Sequence, residues 1–117
     1  LVYISGNIGP TSTGQHLDVK EVGGRQFAPN ALDEYFEVDD PELGVVPLSR
    51  VPITGDFASH TARGSHGIDY GLYEGTKIYA KNGARIISKV NTEHGCKLLT
   101  QLPNGKQYTF LHGTCPN

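Results

Sequence analysis

The chain has no methionine and no tryptophan, and only two of its 117 residues are cysteine. Residue 1 is Leu, so the chain is read as a processed product or as a piece of a longer protein. Long apolar runs are missing as well. Nothing approaches the ~20 residues that a helix needs to cross a bilayer, and no charged-then-apolar signal segment opens the chain. The formal net charge is only −2. That balance gives no electrostatic case for nucleic acid, whose binders carry a basic face. No internal repeat and no low-complexity tract appear. The two cysteines, Cys96 and Cys115, allow one bridge. The plain reading is a semi-buried thiol and a free thiol near a chain end, with a disulfide as the alternative.

Turn formers, by contrast, are plentiful: 15 glycines and 7 prolines. At that density the expected fold is mainly β, built from short strands and tight turns. Hydrophobic residues make up 37% and charged residues 19%, as in an ordinary globular protein. The length suits one domain, 1–117.

Three stretches divide the chain. Residues 1–23 open with a strand over Leu1 to Ile8, then a loop, then the alternating run His16-Leu-Asp-Val-Lys-Glu-Val22. In that run the polar side chains should share the face away from Leu17 and Val19. Residues 24–50 read as a connector. It holds one short helix, Asn30 to Phe36, capped by Asn30 with Asp33 and Glu34 in its first turn. Residues 51–117 return to strands, with tight hairpins expected at Asn82-Gly83 and at Pro103-Asn104-Gly105.

Chemistry concentrates in three short segments. They are Thr13-Gly-Gln-His-Leu-Asp18, Ser65-His-Gly-Ile-Asp69 and Tyr108-Thr-Phe-Leu-His112. Histidine is the commonest zinc ligand and the usual proton carrier near neutral pH, and Asp is a good further ligand. Each residue also has a plainer reading. Asp69 would cap the turn before Gly71, and Asp18 would be an exposed strand acid. His66 would face solvent, and His16 and His112 would be partly buried and bonded to backbone. His60 lies in a loop, and His94 reads as a turn residue. Tyr70, Tyr79 and Tyr108 read as sheet packing, and Lys20, Lys97 and Lys106 as solvated charges.

The motifs resemble those of lysostaphin-type zinc peptidases. In order, the chain contains Gly67-Ile-Asp-Tyr-Gly71, Gly75-Thr-Lys-Ile-Tyr-Ala80, Asn82-Gly-Ala-Arg-Ile86 and Leu102-Pro-Asn-Gly-Lys-Gln-Tyr-Thr-Phe-Leu-His112. From residue 53 to 113 that series is similar to the family. The family's last signature, Ser-Thr-Gly-x-His-Leu-His, is matched by Ser12-Thr-Gly-Gln-His-Leu-Asp18, which stands at the other end of the chain. The resemblance therefore implies a circular permutant. Its fold would be an antiparallel β-sheet groove of the duplicated-hybrid-motif type. It also implies a zinc ion, two assisting histidines and a peptidoglycan target.

Carried over residue by residue, the assisting pair is His16 and His112, and the metal set is Asp69, Asp18 and His66. This set departs from the pattern. The family's first ligand lies four residues before its Asp, where Ser65 stands here, and its last ligand His is Asp18. On a regular strand residues three apart point to opposite faces, so His66 joins Asp69 only through a bulge at Gly67. Two functional classes follow. One is a degenerate module without metal, binding cell wall or serving as a structural part of a larger protein of phage tail or virion type. The other is an active metal-dependent peptidoglycan endopeptidase. The implied partners are bacterial peptidoglycan or neighbouring virion subunits, and the implied location is extracellular or virion-associated.

Overall fold

The computed structural model describes residues 1–8, 16–55 and 67–116. Their ten strands form two antiparallel sheets. The smaller sheet has the order β1 (Tyr3–Ile4), β7 (Lys77–Ala80), β3 (Phe36–Asp40), β4 (Gly44–Pro47). The larger runs β5 (Ile53–Gly55), β6 (Ile68–Tyr70), β2 (Leu17–Glu21), β10 (Gln107–Gly113), β9 (Gly95–Gln101), β8 (Arg85–Thr92). The mainly β expectation holds. No helix among the described residues is long and apolar enough to cross a membrane.

Aromatic side chains join the two sheets. Phe110 of β10 meets Tyr3 of β1 edge-on at 5.7 Å and Phe36 of β3 at 5.1 Å between ring centroids. All three are fully buried, as are Leu17, Val38, Ile78 and Leu98 around them. Such tilted aromatic pairs add to the burial term rather than merely filling space. The Tyr3 hydroxyl donates to the Cys96 carbonyl and accepts from the Gly113 N–H, so it has partners despite its burial.

Residues 24–50 are not a plain connector. They supply β3 and β4, half of the smaller sheet. The Asp40 carboxylate accepts from the N–H groups of Glu42 and Leu43, which folds the chain back into a hairpin. The expected helix at Asn30 to Phe36 does not form. Among described residues the one helical element is a single 3₁₀ turn, Leu48–Arg50. The reason is tertiary. Asp33 accepts from Ser49 instead of serving a helix N-terminus. The Glu34 and Tyr35 carbonyls accept from the Asn82 side chain and the Lys81 N–H. Within the segment only the turn bonds from Asp33 to Asn30 and from Tyr35 to Leu32, and one helical bond from Phe36 to Leu32, form before β3 begins, too few to propagate a helix.

The Asn82-Gly83 turn does form, with positive φ at both residues. It does not join a hairpin. β7 pairs with β3 and β8 pairs with β9, so the turn carries the chain from one sheet to the other. The hairpin at Pro103-Asn104-Gly105 is as expected and links β9 to β10. The cysteines are paired: Cys96 and Cys115 form a disulfide with Cα atoms 5.8 Å apart. The reading of two thiols is therefore replaced.

Candidate functional site

Asp18 and Asp69 stand directly opposite each other on β2 and β6. Their neighbours Val19 and Ile68, also a cross-strand pair, are buried in the core. Alternation along the strands turns the two carboxylates to the other sheet face. That face is not open: Asp18 is 6% exposed, so the reading of an exposed strand acid is corrected. The turn-capping reading of Asp69 also lacks support, because the Gly71 N–H donates to the Pro52 carbonyl.

His16 precedes Asp18 by two residues and shares its face. Its Nε2 lies 3.9 Å from Asp69 Oδ1. His112 comes from β10, where Leu111 is the residue opposite Asp18. Strict alternation would turn His112 away from that face. Instead the register shifts between Phe110 and Gly113, and His112 takes a φ of 75°. This bulge brings His112 Nε2 to 3.8 Å from Asp18 Oδ2. The His16 and His112 rings then lie 5.0 Å apart. A non-glycine residue in this region is uncommon and costs on the order of 1–3 kcal/mol, and such residues cluster at functional sites.

Ile8 and His94 hold the strained residue. The Ile8 N–H donates to the His112 carbonyl at 3.0 Å, and the His112 N–H donates to the His94 carbonyl at 2.9 Å. His112 Nδ1 lies 2.7 Å from the Ile8 carbonyl, which has only lone pairs to offer. Nδ1 therefore carries the proton and Nε2 is the nitrogen presented to Asp18. Glycine backbone closes the rest. A Cβ at Gly55 would sit 2.6 Å from Asp69 Oδ2, so any larger residue there would push the carboxylate from its place.

The structure thus brings together His16, Asp18, Asp69 and His112. His66, Ser65, His60 and the segment Ser12 to Gln15 lie outside the described residues, and β6 begins only at Ile68. Two site residues escaped the sequence reading. Lys20 is more than a solvated charge: its side chain is partly exposed, and its ammonium pairs with Asp18 Oδ2. Its spacing of two from Asp18 on one strand face was the available signal. His94 does occupy a turn, between β8 and β9, but its ring also meets His112 edge-on at 6.0 Å. Nothing local in the sequence announces that contact.

Zinc is the ion that the family resemblance implies. Asp18, Asp69 and the Nε2 of His112 are suitable donors by type. Their arrangement does not suit one ion, because the Lys20 ammonium already sits on Asp18 Oδ2. Among the described residues no group of three or more His, Cys, Asp or Glu side chains is placed to hold a metal. The chain matches no family model, no curated protein and no solved structure. What the site offers, then, is two carboxylates, an ammonium and two imidazoles gathered within a few ångströms of one another. Such a set can recognise the amide and ammonium groups of a peptide by hydrogen bonds and charge.

Proposed function

We propose that this chain is a cell-wall-binding module, related to lysostaphin-type peptidases but without their metal chemistry, within a larger protein of phage tail or virion type. One observation carries the reading. Of the positions matching the family's site, the four described ones, His16, Asp18, Asp69 and His112, lie together, and Lys20 brings positive charge to them. The two-sheet β architecture and the cyclic order of the motifs support the lineage. The disulfide supports an extracellular or virion-associated location, since such bridges persist in oxidising surroundings. The ligand class is the short peptide of bacterial peptidoglycan, whose amide and ammonium groups match the site.

The rival reading is an active metal-dependent peptidoglycan endopeptidase. The adjacency of His16 and His112 favours it, because in that chemistry two histidines flank a zinc-bound water whose pKa falls to ~7. Sedimentation with purified peptidoglycan sacculi, with and without added zinc, separates the two. The expected result is co-sedimentation without release of soluble fragments. His112→Ala should weaken binding about tenfold, which is ~1.4 kcal/mol. Fragment release in zinc would establish the enzyme, and absence of co-sedimentation would remove the binding reading.

A further inference from the structure

We propose that Tyr3 is the positioning residue of the site: its hydroxyl, bonded to both β9 and β10, holds open the bulge that turns His112 toward Asp18. The consequence for ligand binding rests on the cell-wall-binding reading.

β10 carries one residue more than β9 across this stretch. Phe110 pairs with Leu98 and Gly113 with Cys96, so three steps on one strand match two on the other. A bulge disrupts the ladder locally, and buried backbone groups that lose a ladder partner must be bonded elsewhere. At Cys96 and Gly113 the partner comes from the other sheet. The Tyr3 hydroxyl donates to the Cys96 carbonyl and accepts from the Gly113 N–H, each at 2.7 Å. One oxygen thus serves both members of a register pair. Burial pushes the hydroxyl well above the ordinary tyrosine pKa, so its proton stays available to that carbonyl.

The oxygen is held in place. The Tyr3 ring is fully buried and stands edge-on to Phe110, at the other end of the bulge. Ile4 and Thr114 exchange both backbone N–H···O bonds, at 2.8 Å each, and fix β1 against the end of β10. Gly113 permits this approach, because a Cβ there would clash with the Ile4 carbonyl oxygen and the Tyr3 ring. His112 is the residue before this anchor, at a φ of 75° and with Nε2 3.8 Å from Asp18 Oδ2. Without the hydroxyl, the Cys96 carbonyl and the Gly113 N–H recover a bond only by closing on each other. That draws β10 toward regular pairing, where alternation turns His112 off the Asp18 face.

The test compares wild type, Tyr3→Phe and Tyr108→Phe of the whole chain by NMR of the imidazole nitrogens, at a pH above the usual histidine range. Each replacement removes one buried hydroxyl, and that of Tyr108 donates to Glu21 rather than to the bulge. Wild type should show His112 as the Nδ1–H tautomer, with ring contacts to His16. Tyr3→Phe should lose both features. Tyr108→Phe should be less stable and keep both. A folded Tyr3→Phe with His112 unchanged would overturn the proposal, and so would equal disturbance of His112 in Tyr108→Phe. If Tyr3→Phe does not fold, amide exchange in wild type decides. The Gly113 amide should exchange only through global unfolding, and rapid exchange there would defeat the proposal. Titration of the same proteins with a soluble peptidoglycan stem peptide keeps the two readings apart. Tyr3→Phe should bind about tenfold more weakly than wild type, and Tyr108→Phe as wild type does. A displaced His112 in Tyr3→Phe, with no binding by wild type, defeats only the cell-wall reading. Binding by wild type, with His112 unmoved in Tyr3→Phe, defeats only the positioning proposal.

Discussion

Reducing the Cys96–Cys115 bridge will destabilise the fold by about 3 kcal/mol and lower its melting temperature by roughly 12 °C. The bridge closes a loop with a sequence separation of 19. Cross-linking so short a loop removes conformations from the unfolded chain, and this entropy sets the size of the effect. The consequence reaches the site. Cys96 is the register partner of Gly113, the residue after His112, and Cys115 lies three residues beyond His112. The disulfide therefore ties down the Gly113 end of the bulge that aims His112. Thermal unfolding by circular dichroism, with and without reductant and for Cys96→Ser/Cys115→Ser, checks the stability. A melting temperature unmoved by complete reduction would contradict it.

Phe110→Ala will cost ~3–5 kcal/mol in urea unfolding, the range for emptying a buried phenylalanine site. The position joins the sheets rather than filling one of them. Phe110 belongs to the larger sheet, and its ring contacts are Tyr3 and Phe36 of the smaller sheet. All three sit at 0% exposure. The cavity left behind would have sheet backbone on both sides, which collapses poorly. A loss below ~1 kcal/mol would show that the sheets do not depend on this aromatic contact.

Local patterning carried the sequence reading where neighbours in sequence are neighbours in space. The alternating run at Leu17–Glu21 is a strand, and Pro103-Asn104-Gly105 is a hairpin. Non-local pairing was invisible. Asp33 reads as a helix-capping acid until Ser49 is seen beside it, 16 residues away. Residues 24–50 read as a connector because β3 finds its second partner in β7, on the far side of β5 and β6 in the sequence. Asn82-Gly83 predicts a reversal of the chain but not which sheet receives each arm. At the site, Asp18 was legible through its motif and Asp69 likewise. His112 was picked out by the same resemblance, but its placement was not legible. By alternation it belongs on the wrong face, and only the bulge after Phe110 corrects that. Lys20 was missed because an isolated lysine in a strand is ordinarily solvated.

The proposed function requires that His16, Asp18, Asp69 and His112 form one peptide-binding site. Backbone amide shifts of the isotope-labelled chain, titrated with a soluble peptidoglycan stem peptide, test it most directly. Saturable shifts are expected, centred on residues 16–20, 67–70 and 109–113, from the adjacent strands β6, β2 and β10. Shifts confined to the exposed edge strand β8, or none at saturating peptide, would contradict it.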